Sequence, residues 1–308
     1  MITLRAQFPD LVLANALPAL DHVIYETRKK YMALGPTIYN MRTSDRWGEQ
    51  HTGVTGLGQP AQVNEANPVR YDNPLQGFPK TYQHIDWGLG FMISHVSARD
   101  NRWVSAGRMA QELSRSFMDS RELLAASTFN RAFDTNFPGP DGVPLCSASH
   151  PLKKVGGVQS NILSVAADLD VDSLQLAYTA MALQVTHSGK PRNILPSKLM
   201  ISFHNNFNAI ELLMSKLRAD TTNNATNAFQ HMRASLPEIM PWTYLTDPDA
   251  WFLCAAPSDT ELYWFDREKF YTSHDIDHDT RTLKTAGWEA HSFGWSDYIG
   301  VFGTPGAG

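Results

Sequence analysis

Cysteine is scarce: 308 residues contain two, Cys146 and Cys254. Two thiols far apart in the chain make no disulfide framework and lack metal-site spacing, so a reducing, cytosolic setting is expected. Long apolar runs are missing, and nothing approaches the ~20 residues that cross a bilayer. The N-terminal stretch MITLRAQFPDLVLANALPAL is interrupted by Asp10, Asn15 and two prolines, which excludes the unbroken apolar core of a signal peptide. Basic residues are outnumbered, 26 Lys+Arg against 31 Asp+Glu, for a net charge of −5. Lysine and arginine do not cluster beyond pairs such as Lys29-Lys30 and Lys153-Lys154, which argues against a dedicated nucleic-acid binder. No Walker motif, G-x-S-x-G elbow or internal repeat occurs. Hydrophobic content of 43% and charged content of 19% describe a folded chain with a substantial core.

What is present changes character along the chain. Residues 1–40 read as an arm with a short helix from about Leu20 to Tyr31, closed by Gly35-Pro36. Residues 41–97 carry the Gly/Pro-rich stretch GVTGLGQPAQVNEANPVRYDNPLQGFP, too long for an ordinary loop. After it Ile85, Trp87, Leu89, Phe91 and Ile93 alternate with polar residues or glycine, the period of a strand with one apolar face. Gly88 and Gly90 on its other face permit a bulge or a close backbone approach. The segment is expected to form a long two-stranded excursion that packs on something outside itself. From Ser97 to Phe133 there is no proline and one glycine, and Ala106, Met109, Leu113, Phe117, Leu124 and Thr128 recur at helical spacing. A helix of ~30 residues would run ~45 Å. Further on, Asp170 or Asp172 caps a helix with a Leu174/Ala177/Tyr178/Met181/Val185 face, KLMISF (198–203) reads as a buried strand, and residues 205–218 as a helix. PWTYLTDPDAWFLCAA reads as two short strands about a turn at 246–249, and residues 261–302 as an aromatic, strand-rich tail.

Two clusters invite a chemical reading. DGVPLCSASHP (141–151) gathers Cys146, Ser147, Ser149 and His150 between prolines. A nucleophile needs its base within ~3 Å. In extended chain Ser149 and His150 point to opposite faces, and Cys146 lies roughly 13 Å from His150. Gly142, Pro144 and Pro151 discourage the helical turn that would bring them together. The segment is expected to be a turn followed by an extended strip, with no catalytic role. SHDIDHD (273–279) places His274 and His278 too far apart on a strand to share one ion, so a solvated turn or interface strip is expected, and no metal or cofactor.

The order of these features resembles a tailed-bacteriophage major capsid protein of the Hong Kong 97 type. TGLGQP…VRYDNPLQGFPKTYQHIDWGLGFMIS looks like that family's extended-loop segment. DGVPLCSASHPLKKVGGVQSNIL looks like the stretch after its long helix, usually DG-x-x-L-F-S-x-x-H-P followed by S-N-L. PSKLMISFHNNFNAIELLMSKLR, YLTDPDAWFL and FGWSDYIGVFGTPG match later parts in order. Cys146 stands where the family often has phenylalanine, and Ile299 where a basic residue often follows the aromatic, which removes a candidate inter-subunit ion pair.

The resemblance implies an α+β fold: an N-terminal arm (1–40), an extended β-hairpin loop (41–97), a peripheral domain with the spine helix (98–160 and 265–308), and an axial α/β domain (161–264). It implies a non-enzymatic structural protein whose hexamers and pentamers build an icosahedral head around double-stranded DNA, in the virion, after assembly in the bacterial host cytoplasm. Implied partners are other copies of the chain, a portal protein at one vertex, decoration proteins, and packaged DNA touched without sequence preference. The start at Met1 implies no removed propeptide, hence a separate scaffolding protein. Ile85, Trp87, Leu89, Phe91, Lys80 and Tyr71 are the candidate inter-subunit contacts. Lys80 lies where some relatives crosslink, but no partner for it is evident. Two alternatives stay open: the shell of an encapsulin-like cellular compartment and, more remotely, a hydrolase using Cys146 or Ser149 with His150.

Overall fold

The computed structural model describes residues 9–65, 68–94, 96, 103–217, 226–232 and 236–307. One long helix, α3 (Trp103–Asn130), forms the spine after two helices nearer the N-terminus, α1 (Pro9–Lys30) and the short α2 (Gly35–Ile38). Its 28 residues span about 42 Å. The buried stripe runs through Ala106, Ala110, Leu113 and Phe117 and then Ala125, Ala126 and Phe129. Met109, expected inside, is 45% exposed, because the stripe passes through Ala110 beside it.

Each half of the spine packs on a different sheet. The first sheet has the order β1-β10-β11-β4, from β1 (Asn40–Thr43), β10 (Leu262–Ile276), β11 (Leu283–Trp295) and β4 (Ile85–Ile93). Phe270 and Leu283 from this sheet meet Leu113 and Phe117 of the spine, and Leu20 and Ile24 of α1 close the same cluster. Helix α1 is longer than the twelve-residue helix expected, continuing through Pro18. The second sheet has the order β12-β9-β7-β8, from β7 (Lys198–Ile201), β8 (Glu238–Pro241), β9 (Trp251–Cys254) and β12 (Val301–Thr304). Its period-two alternation splits the core cleanly. Met200, Phe252, Cys254 and Val301 face the C-terminal half of the spine, with Phe129 edge-on to Phe252 at 5.4 Å. Leu199, Ile201, Trp251, Leu253 and Phe302 face helices α4 (Val171–Ala182) and α5 (Asn206–Met214). Asp170 is the cap of α4, in a reciprocal capping box with Ser173.

Several expectations need correction. The strands flanking residues 246–249 do not pair with each other: β7 lies between them, parallel to β8 and antiparallel to β9. Trp242, expected in a strand, instead reaches the spine and donates its Nε1–H to Glu122 Oε2 at 3.0 Å. The excursion is also shorter than expected. It consists of β2 (Gly48–Val54) and β3 (Gln76–Gln83), paired antiparallel from Gly48↔Gln83 to Val54↔Gln76 with a bulge after Thr52. The Trp87 strand is not a leg of this arm; it is β4, on the edge of the first sheet against β11. The glycines on β4 allow that docking. A Cβ at Gly88 would sit 2.5 Å from the Trp288 ring, and one at Gly90 would sit 2.8 Å from the Thr285 carbonyl oxygen. Finally, β12 joins the second sheet although β10 and β11 belong to the first, so the tail serves both layers.

Candidate functional site

The 141–161 segment forms a buried polar node. Gly142, at φ +88°, turns the chain as only glycine does readily, and sets Asp141 opposite His150. Asp141 Oδ2 lies 2.6 Å from His150 Nδ1, and Asn161 Oδ1 lies 3.0 Å from Nε2. The orientation of Asn161 is set by its surroundings: Nδ2 donates to the carbonyls of Leu145 and Val301, and Oδ1 accepts from the Ser147 amide. Both ring nitrogens of His150 therefore face side-chain oxygens. The imidazole is fully buried and stacks on Tyr298 at 3.7 Å between centroids. His150 and Pro151 make β5, paired with β6 (Val158–Gln159), so a two-residue ladder rather than a longer extended strip follows the turn.

This geometry removes the hydrolase reading. Nε2 of His150 is committed to Asn161, not to a hydroxyl or thiol. Ser149 is exposed and meets Ser147 instead. Cys146 is buried against Gly303, and burial pushes its thiol well above the ordinary range, away from the nucleophilic thiolate.

The acidic-histidine stretch is divided between two jobs. His274 Nε2 approaches Asp21 Oδ1 of α1 at 3.0 Å while Nδ1 faces Thr285. Asp277 closes the β10–β11 turn by accepting from the Asp279 and Thr280 amides and from Lys284, which hold its carboxyl down to about 2. Among the described residues no group of three His, Cys, Asp or Glu side chains could hold a metal ion.

A second buried polar cluster, not foreseen from the sequence, joins α1, the spine and the first sheet. Glu289 Oε2 accepts from Arg28 at 3.2 Å and from Arg121 at 3.3 Å, while Arg121 also bonds Asp266 at 2.8 Å. Beside them His291 lies between the parallel rings of Trp264 and Trp87, 4.7 and 5.9 Å away. Neither of its nitrogens has a hydrogen-bond partner. Burial, reinforced by Arg121 and Arg28, pushes its pKa from 6.5 to about 3.

The six candidate contact residues are not brought together. Trp87 and Phe91 lie partly buried against the α1–spine cluster, leaving Ile85 (56%) and Leu89 (49%) as the exposed members of that face. Lys80 sits on β3 opposite His51, half-buried, and burial lowers its pKa. Tyr71 lies in the arm's tip and is 92% exposed. The tip also exposes Val54, Leu57, Val63, Val69 and Leu75, an apolar set with no core beneath it. Ile299, read as a missing ion-pair position, is buried in the second core and faces no solvent.

A family model described as phage capsid protein matches residues 78–303, most of the chain. The chain belongs to that phage capsid protein family. A search of curated proteins returned no match. Among solved structures, the capsid of the cyanophage P-SCSP1u superposes with a TM-score of 0.56 at 10% identity, covering 88% of this chain and 87% of that one. The capsid of an empty GTA particle gives 0.54 at 9% identity, covering 88% and 90%. A phage-related protein from Bordetella bronchiseptica RB50 gives 0.53 at 12%, covering 92% and 96%. At such identities the likeness concerns fold alone, and the fold is of the Hong Kong 97 type. The role of this family member is structural.

Proposed function

We propose that this chain is the major capsid subunit of a tailed phage, building hexamers and pentamers of an icosahedral head that encloses double-stranded DNA. Membership of the capsid family supports this, and the observation that carries it further is the arm. The β2–β3 hairpin leaves apolar residues exposed around its tip, which suits coverage by a neighbouring copy. In this reading residues 1–40 are the N-terminal arm and the hairpin is the extended loop. The first sheet with the spine is the peripheral domain, and the second sheet with α4 and α5 is the axial domain. Many modest contacts per subunit then become strong collectively. A separate scaffolding protein, a portal at one vertex and decoration proteins belong to the same assembly, and DNA meets a slightly acidic wall without sequence recognition. Assembly takes place in the host cytoplasm. Electron microscopy of the chain expressed with its scaffolding protein tests the reading. Closed shells of uniform diameter are expected; a compact monomer at every concentration overturns it. Shells that copurify with an enzyme cargo overturn the phage assignment in favour of a cellular compartment.

A further inference from the structure

We propose that Lys153 and Lys154 form a releasable latch that sets the angle of the β2–β3 arm against its own subunit. The lysines sit on the β5–β6 hairpin, whose loop is tight. Gly156 and Gly157 take positive φ, the Leu152 amide bonds the Gly157 carbonyl at 3.0 Å, and the Gly156 amide bonds the Leu152 carbonyl at 3.0 Å. The hairpin is anchored below by His150 in the polar node and laterally by the Lys154 and Val155 amides, which both donate to the His187 carbonyl. From this rigid base Lys153 Nζ donates to the Gly77 carbonyl at 2.8 Å and lies 4.6 Å over the Phe78 ring. Lys154 Nζ bonds Asp72 Oδ2 at 2.6 Å and the Gly56 carbonyl at 3.2 Å. Asp72 Oδ2 also accepts from the Gly58 amide, tying the two sides of the tip together.

The placement is that of a lever. The arm's root is held by Tyr82, buried among Tyr263 and Phe265 with its hydroxyl 2.6 Å from Ser296. Gly77 lies about 17 Å further out at strand rise, and Asp72 lies beyond that. Between root and latch the arm borders a cavity of about 290 Å³ lined by Gly53, Phe78, His187, Arg192, Glu261 and Asp297. Across that gap the Phe78 ring meets His187 edge-on at 5.9 Å, and further out the two ammonium groups hold the arm's inclination. They are also groups that let go without leaving a buried unpaired charge. The Asp72 side chain is 31% exposed and that of Lys154 18%, so water can replace each partner in turn. The use of the open arm within a shell rests on the function proposed above; the latch itself does not.

The test uses the unassembled full chain. Val63 on the arm and Val158 on β6 are both exposed, whereas Cys146 and Cys254 are buried. Spin labels at Val63→Cys and Val158→Cys therefore report the arm's position by pulsed electron resonance. A narrow distance distribution is expected, broadening or moving outward in Lys153→Gln/Lys154→Gln and staying narrow in the exposed control Lys269→Gln. Hydrogen exchange gives a second readout. The amides of Thr55, Gly58 and Leu75 should exchange about tenfold faster or more in the double variant, with β10–β11 protection unchanged. Distances and arm protection that match the unsubstituted chain overturn the latch. Imaging of shells from the unsubstituted chain is scored separately, so a failed latch and a failed capsid assignment remain distinguishable.

Discussion

His291 predicts acid lability of a definite size. The imidazole is 2% exposed, lies between two indole rings and beside two arginines, and makes no hydrogen bond. A proton on it would add a third cation next to Arg28 and Arg121, which already engage Asp266 and Glu289 Oε2, and would leave Glu289 Oε1, 3.8 Å from Nδ1, as its nearest anionic atom. Its pKa in the folded chain is about 3 against an ordinary 6.5. Above 6.5 both folded and unfolded chains carry it neutral, and it contributes no pH dependence. Between 6.5 and about 3 only the unfolded chain binds the proton, so stability falls as pH falls, by about 1.4 kcal/mol per unit. That is about 2 kcal/mol by pH 5 and about 5 kcal/mol once the folded form also titrates. His291→Phe keeps an aromatic ring between the tryptophans and removes the titration. Since the native ring nitrogens bond nothing, the variant loses no hydrogen bond and should match or exceed the native chain at pH 7.5. Urea unfolding of the unassembled chain at half-unit pH steps measures the difference. The gap in favour of the variant should open from pH 6.5 downward. Parallel pH profiles for the two chains would refute the reasoning.

Three more substitutions test the 141–161 segment. His150→Ala leaves the Asp141 carboxylate, 5% exposed, without its partner and should cost about 3–5 kcal/mol in urea unfolding. Ser149→Ala, at an exposed hydroxyl, should stay within about 0.5 kcal/mol; equal losses from both would contradict the node. Cys146→Phe restores the residue common in the resembling family, yet Cys146 packs where Gly303 has no room for even a Cβ, 2.9 Å from the sulfur. Overpacking should cost about 1–3 kcal/mol, and a variant melting at or above the native temperature would show that the core has space there.

The elements most legible in the sequence were those whose signals are local. The spine shows as a proline-free run with an apolar stripe, α4 starts at a capping aspartate, and Gly88 and Gly90 permit the close approach that the structure uses. Pairing was less legible, because a strand's partner is chosen by surfaces far away in sequence. Residues 85–93 alternate as any half-buried strand does, and nothing local says that β11 rather than the arm provides their neighbour. Likewise β8 and β9 flank a good turn, and only the insertion of β7 between them prevents a hairpin. The Met109 error has the same origin. Ala106, Met109 and Ala110 all fit a helical stripe, and the structure packs the two alanines with Leu20 and Ile24 of α1 while Met109 stays exposed.

The reactive-looking residues near 146–150 illustrate the limit more sharply. Spacing set Cys146 and Ser149 apart from His150 on the assumption of an extended strip, yet it could not say why a histidine belongs there. Its partners come from a turn at 141, a loop at 161 and an aromatic at 298, brought together only by the finished fold. An apolar replacement of such a buried pair can be as stable as the pair itself, so stability alone is a weak reason for its presence. Direction is a better one. Asn161 joins the Leu145 and Val301 carbonyls and the Gly303 amide, and so couples the turn after the spine to β12 in the second sheet. A greasy contact at this point would permit sliding, whereas directed bonds allow one placement of β5. That placement aims Lys153 and Lys154 at the arm. The histidine thus holds the register from which the latch reaches out.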